Sequence, residues 1–209
     1  MGYQRLKRIV DIIIIILLMP VFAVFLLLIA IAIKLYSPGP LFYRQQRIGK
    51  DGKPFMMLKF RSMHVGSSST SHRQFMQRMI RENIDPKQAG IKVMKLEDDP
   101  RITRPGKLMR KLSLDELPQF INVLRGEMSI VGPRPPLPYE VELYTDWHKR
   151  RLDVLPGITG LWQVKAHNQV SFNEMVQLDL DYIQSMSLWL DLKLIVLTPI
   201  EMLRARGGG

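Results

Sequence analysis

The 22 residues from Ile12 to Ile33 carry no charge, and most are Ile, Leu, Val, Ala or Phe. As one helix this run would extend about 33 Å, enough to cross a hydrocarbon core of about 30 Å. Pro20 lies inside it, removes a backbone hydrogen bond and predicts a kink or a break. Basic residues flank both ends, with Arg5, Lys7 and Arg8 before the run and Lys34, Arg44, Arg47 and Lys50 after it. Positive flanks favour the cytoplasm, and a spanning helix satisfies only one of them. A helix-break-helix hairpin that enters one leaflet and returns satisfies both. A kinked single span also fits the length. A cleaved signal peptide fits less well: Ala30-Ile31-Ala32 resembles a cleavage site, but the apolar core far exceeds the usual ~7–15 residues.

Beyond this run the pattern changes period. Ser37-Pro38-Gly39-Pro40 reads as a turn, and Leu41–Arg47 and Pro54–Arg61 read as short strands rich in aromatic and apolar residues. The glycines of Gly49-Lys50-Asp51-Gly52-Lys53 predict a hairpin between them. Gly66–Ser71 is a polar loop. His72–Asn83 places Phe75, Met76, Met79 and Ile80 at helical spacing. Ser171 and Glu174 form a capping box that starts a helix through Met175, Leu178 and Tyr182. Leu188–Leu203 is apolar but carries Asp191, Lys193, Glu201 and Pro199, too interrupted to span; it either lies in a membrane interface or packs into a core. No internal repeat is present.

Charge narrows the partners. Lys and Arg number 30 against 19 Asp and Glu, a formal excess of +11 over 209 residues. Such a balance favours anionic ligands, anionic lipid or nucleic acid. The apolar run moves the reading from nucleic acid toward a membrane surface, where each basic residue adds about 1 kcal/mol of attraction to anionic lipid. The chain has no cysteine, which excludes disulfides, zinc-thiolate sites and a Cys nucleophile.

The candidate chemistry sits in three short stretches. In Lys111-Leu112-Ser113-Leu114-Asp115-Glu116-Leu117-Pro118-Gln119, two acids stand near the start of a helix. Either Ser113 and Glu116 make a capping box, or Pro118 takes the first helical position and Gly126 ends the helix. Both readings place Asp115 and Glu116 at the positive end of a helix dipole, which stabilises carboxylates and attracts phosphate; the acids could equally serve as caps alone. Gly132-Pro133-Arg134-Pro135-Pro136 restricts the backbone around one guanidinium, suited to a phosphate fork. Lys59-Phe60-Arg61-Ser62-Met63 puts two cations on one face of a strand end. His64, His72, His148 and His167 show no ligand spacing, and there is no phosphate-binding glycine loop, nucleophile elbow or dinucleotide fingerprint. Asp98-Asp99-Pro100-Arg101 reads as a turn or a metal contact.

Together these segments resemble the monotopic phosphoglycosyl transferases, bacterial sugar transferases that start glycan assembly on a polyprenol carrier. The resemblance rests on the Pro-broken apolar hairpin, Lys59–Met63, Asp99-Pro100-Arg101-Ile102-Thr103, Arg110 and Ser113–Gln119. It continues through Asn122-Val123-Leu124, Gly126, Met128-Ser129, Gly132–Pro135, Arg151, Pro156-Gly157-Ile158-Thr159-Gly160 and Gln163. Met19 stands where many members carry Ser. The resemblance implies an α+β, predominantly α fold: a re-entrant membrane hairpin over residues 1–36, and one compact α-rich domain with a small β-hairpin over 37–206. It implies transfer of a sugar-1-phosphate, with hexose favoured, from a UDP-sugar to polyprenol (undecaprenyl) phosphate with release of UMP. The implied route is ping-pong through Asp115 as nucleophile, with Glu116 as Mg²⁺ ligand and Lys59, Arg110, Pro133, Arg134 and Pro135 at the substrate. Implied partners are UDP-sugar, polyprenol phosphate and membrane lipid, without nucleic acid and with a homo-oligomer left open. The implied location is the cytoplasmic face of the bacterial inner membrane. The rival reading is a non-catalytic basic membrane adaptor that binds phosphorylated ligands.

Overall fold

A computed structural model describes residues 2–36, 38–66, 70–85, 99–166 and 170–207. The described chain is predominantly helical with two small two-stranded sheets. In order, the elements are α1 (Tyr3–Tyr36), β1 (Phe42–Ile48), β2 (Pro54–Phe60), α2 (Thr70–Glu82), α3 (Arg104–Lys111), α4 (Gln119–Leu124) and β3 (Ser129–Val131). Then follow α5 (Pro138–Val141), α6 (Asp146–Lys149), β4 (Gly157–Thr159), α7 (Leu161–Ala166), α8 (Phe172–Ser185) and α9 (Leu188–Gly207). The chain divides into two compact units. The first holds residues 1–45, 56–68 and 96–126, the second 46–55, 69–95 and 127–209.

In the first unit, the apolar run forms a single helix that continues through Pro20. Only Asp11, Ile15, Ile29 and Ile33 of α1 are buried. Leu17, Val24 and Leu27 stand 71%, 61% and 62% exposed, an apolar surface that water would not favour. Both ends of the helix pack onto the same unit. Near its start, Arg8 donates to the carbonyls of Val123 and Leu124, the latter at 2.8 Å, where a cation complements the C-terminal end of α4. Near its end, Ile29 and Ile33 pack with Phe60 and Met109.

The predicted hairpin is present as β1 and β2. Asp51 and Gly52 take left-handed φ of 57° and 73° at its turn, which is why the tip needs short or absent side chains. Residues past β2 pair with the entrance to α3: Met63 bridges Ile102, and Thr103 donates its N–H to the Ser62 carbonyl at 3.0 Å. Thr103 also caps α3 by accepting from Gly106 N–H at 3.0 Å, and Pro105 sits in the first turn, where it forfeits no bond.

The second unit is built around a parallel contact that the hydrophobic pattern did not announce. β3 pairs with β4 in the register Ser129 to Gly157 and Val131 to Thr159. Glycine is required at the crossing, because a Cβ on Gly157 would lie 2.1 Å from the Gly132 nitrogen. The predicted helices surround this pair. α2 begins two residues before its expected start and buries Met79 and Ile80; it ends at Asn83 with φ 44°, whose side chain accepts from Asn173 N–H at 2.9 Å. α8 starts at the expected capping box, with Ser171 N–H donating to Glu174 Oε2 at 2.9 Å. Its Phe172, Val176 and Leu180 share a core with Ile80 and Tyr144. α9 packs one face of its segment into the core. Asp191 and Leu194 are buried, while Trp189, Leu192 and Val196 are exposed.

Gly157→Ala is expected to destabilise the protein by about 2–3 kcal/mol, since the new methyl meets backbone rather than a flexible side chain. Thermal unfolding of the full chain in detergent measures this; a melting temperature unchanged from the parent would show that the β3–β4 crossing is looser than drawn.

Candidate active site

The acidic pair occupies a turn of its own. α3 ends after Lys111, and Ser113 enters the left-handed region at φ 53°, ψ 22° with no side-chain cap, so the Ser113–Glu116 capping box does not form. Leu114–Glu116 then make one 3₁₀ turn. Pro118 stands immediately before α4, and Gly126 follows it at φ 81°, which makes the Pro-to-Gly reading the nearer one, displaced by a residue. The acids therefore precede α4 by a turn. That helix is only six residues long, and its dipole is correspondingly small.

Lys59 reaches this turn from β2. Its Nζ lies 2.5 Å from Glu116 Oε1, an ion pair in which the two side chains keep 16% and 23% of their exposure. The register behind the pair is set by Asn122, which is fully buried on α4. Asn122 Oδ1 accepts from Leu58 N–H at 3.0 Å, and Nδ2 donates to the Met56 carbonyl at 2.8 Å. One amide thus ties the edge of β2 to α4 at the residue next to Lys59.

Asp115 is buried, and burial raises its carboxyl above the ordinary carboxylate value. The positive charge of Lys59 pulls it back, the negative charge of Glu116 pushes it further up, and Arg110 at the end of α3 pulls it down. Burial outweighs the two cations, so the net direction is upward. The arrangement is a poorly solvated carboxylate, held ionisable by two nearby cations, with a second carboxylate already paired to one of them. Such a group is suited to nucleophilic attack on phosphorus once an anionic ligand supplies the electrophile.

Four of the expected site residues, Lys59, Arg110, Asp115 and Glu116, thus come together in the first unit. Pro133, Arg134 and Pro135 belong to the second. There the Gly132–Pro136 strand end is held by its backbone: Gly132 N–H donates to Thr159 O at 2.9 Å, Gly157 N–H to Pro133 O at 2.8 Å, and Ile48 N–H to Pro136 O at 3.0 Å. The buried Arg47 donates to Pro135 O at 2.9 Å. Arg134 is half-buried on the wall of a cavity of about 170 Å³, shared with Arg47, Glu140, Arg151, Trp162 and Phe172. Arg151 is itself locked, donating to Tyr144 Oη at 3.0 Å and lying 2.6 Å from Asp179 Oδ2.

Other candidates have structural employment. Asp99 accepts from Arg101 Nε at 2.9 Å and pairs with its Nη2 at 2.6 Å, which holds its carboxyl below the ordinary range; Asp98 lies outside the described residues. Arg61 is buried and donates to Pro38 O at 2.8 Å. His148 accepts from Thr145 N–H at a helix start, and His167 lies outside the described residues. Among the described residues no three His, Cys, Asp or Glu side chains cluster as a metal site. Asn122 and Arg47 were not assigned to the site by sequence reasoning. Asn122 had a signal, its place in Asn122-Val123-Leu124; Arg47 had none beyond its charge.

The chain belongs to the bacterial sugar transferase family, whose model matches residues 2–205. Among its relatives is galactosyl transferase CpsE of Streptococcus agalactiae, 48% identical over 161 residues, covering 77% of this chain and 34% of CpsE. The exopolysaccharide production protein ExoY of Sinorhizobium fredii is 40% identical over 201 residues, 96% of this chain and 87% of ExoY. The UDP-glucose:undecaprenyl-phosphate glucose-1-phosphate transferase of Escherichia coli is 40% identical over 206 residues, 94% of this chain and 40% of that protein. The chain thus spans about a third of CpsE and most of ExoY.

The electrostatics can be tested directly. With ¹³C-labelled aspartate, NMR is expected to show Asp115 titrating above the ordinary 3.8. Lys59→Met should move that midpoint up, and Glu116→Gln should move it down. Because the folded chain keeps this proton to higher pH than the unfolded one, Asp115 favours folding below pH 3.8 and loses that contribution as pH rises through its folded value. A midpoint unchanged in both variants would mean that Asp115 does not sense these neighbours.

Proposed function

We propose that this chain is a phosphoglycosyl transferase that moves a sugar-1-phosphate from a UDP-sugar to polyprenyl phosphate. The observation that carries the reading is the buried Asp115 carboxylate beside Lys59 and Arg110, within a chain of this family. In the first step an Asp115 oxygen attacks the sugar-bearing phosphorus, forming an acyl phosphate. The bond from that phosphorus to the bridging oxygen breaks, and UMP departs with the electron pair. In the second step an oxygen of the lipid phosphate attacks the same phosphorus, the bond to Asp115 breaks, and the carboxylate is restored. Lys59 and Arg110 offset the charge gathered at phosphorus. On the second unit Arg134, a planar fork set between two prolines, has the shape to take a phosphate. The relatives named for undecaprenyl phosphate and for glucose or galactose support a hexose donor and this acceptor.

Mg²⁺ fits the donor set. Asp115 and Glu116 offer oxygen ligands, and this cation is commonly held by one or two carboxylates together with substrate phosphates. Glu116 would hold it, exchanging its bond to Lys59 and freeing that ammonium for the diphosphate. Bound there, the cation would neutralise diphosphate charge as a Lewis acid.

Incubation with UDP-glucose or UDP-galactose alone should add one hexose phosphate to the protein by intact mass and release one equivalent of UMP. Asp115→Asn keeps the shape, removes the charge and should abolish both. An adduct that persists in Asp115→Asn would assign the nucleophile elsewhere.

The reading also makes α1 re-entrant: a helix bent at Pro20 that enters and leaves the cytoplasmic leaflet of the bacterial inner membrane on one side. Its support is that Arg8 and Ile33, at opposite ends of the apolar run, both pack on the first unit. In that reading residues 37–206 act as one cytosolic transferase domain. The native chain lacks cysteine, so single cysteines at Gly2 and Tyr36 are clean probes. In intact cells a membrane-impermeant thiol reagent should label neither, and after permeabilisation both. Labelling of one end alone in intact cells would establish a true span.

A further inference from the structure

Every residue lining the cavity beside Arg134 belongs to the second unit. Its walls are mostly hydrocarbon and thioether: α2 contributes Met76 and Met79, and α8 contributes Phe172 and Met175. Two charged side chains interrupt them, Arg134 from the strand end and Glu140 from α5. The two are not paired with each other. Arg134 is half-buried and, among the described residues, takes part in no ion pair. Glu140 is buried and accepts from Leu137 N–H at 2.9 Å through one oxygen, Oε2.

Size and lining together define a ligand. A dry cavity of about 150 Å³ accepts benzene, a single six-membered ring. At about 170 Å³ this cavity holds one such ring, and the fused rings of a purine exceed it. Thioether and aromatic walls suit a flat, polarisable ring. A buried carboxylate asks that ring for an N–H at its edge, because an acceptor there would leave both groups unpaired. A guanidinium fork in the same cavity asks for an anion, best of all a phosphate. Uracil meets the first demand through its ring N3–H, and its nucleoside phosphate meets the second. Cytosine carries a lone pair at N3. With the ring filling the cavity and the phosphate held at Arg134, cytosine has no room to turn its amino group to the same place.

We propose that this cavity takes the uracil of the nucleotide donor and that Glu140 selects it by accepting from N3–H. The proposal rests on the reaction proposed above and adds to it the residue that decides which nucleotide is accepted.

The test uses the full chain in detergent with UMP as the probe, so that binding is read apart from turnover. Isothermal titration should find UMP bound about tenfold more tightly than CMP or AMP. Glu140→Gln keeps an oxygen for Leu137 N–H and offers the base an amide N–H, a donor suited to the cytosine lone pair. It should weaken UMP by about tenfold and bring CMP above it, while circular dichroism reports a folded chain. Independently of any variant, 5-iodo-UMP irradiated on the parent chain should attach within residues 76–79 or 172–175, and excess UMP should remove the label. Equal affinity for UMP and CMP in the parent, an unchanged UMP-to-CMP ratio in folded Glu140→Gln, or label confined to other segments would overturn the proposal. If Glu140→Gln fails to fold, the selectivity of the parent and the position of its label decide. Formation of the hexose phosphate adduct from UDP-glucose or UDP-galactose is measured on the same preparation. An adduct formed by a chain that does not prefer UMP overturns the base reading alone. UMP-selective labelling without an adduct from any UDP-sugar overturns the reaction and leaves the uracil site standing.

Discussion

The first unit depends on one buried amide. Asn122 bonds to the backbone of β2 through both its oxygen and its nitrogen, and no apolar residue could replace it without stranding Leu58 N–H. Leaving such a group unpaired costs about 1–3 kcal/mol, a large part of a typical folding free energy. The consequence is positional as much as energetic. With β2 fixed against α4, Lys59 lies at Glu116, Phe60 joins Ile29 and Ile33 and the Asp115 turn is covered. Charge and hydrocarbon are then neighbours along the chain, Lys59 before Phe60 and Glu116 before Leu117.

Burial of Asp115 is costly in the same way that makes it useful. A carboxylate taken from water loses solvation, and the loss appears as a carboxyl that holds its proton too long. Lys59, Arg110 and a backbone hydrogen bond return part of that energy. Pairing of Lys59 with Glu116 further means that each charge is compensated within the fold.

In the second unit the constraint is steric. Gly132 and Gly157 approach until no Cβ fits between them, which allows β3 and β4 to pair over three residues each. Pro133 O and Gly132 N are then committed to β4, and Pro135 O and Pro136 O to Arg47 and Ile48. Arg134 is left as the side chain presented from a backbone that cannot move. The buried Tyr182, which donates to Asp191 at 2.7 Å, backs the same strand from α8 and α9.

Local chemistry made much of this legible in advance. The apolar run, the hairpin with its glycine turn, the helix at Ser171 and the acidic pair all follow from interactions between residues close in sequence, where periodicity and capping decide. The helix of 104–111 and the parallel β3–β4 pair escaped notice: the first is short and polar, and the second joins three-residue segments separated by the whole crossover. The capping box at Ser113 failed for a related reason. Its spacing is correct, but the turn into the acids forces Ser113 into a left-handed backbone from which it caps nothing. Residue types by themselves determined that a membrane-seeking helix, a carboxylate pair and a rigid arginine are present. Only tertiary structure decided that Lys59 meets Glu116, that burial raises the Asp115 carboxyl, and that Asn122 ties β2 to α4, because these depend on segments some 60 residues apart brought together.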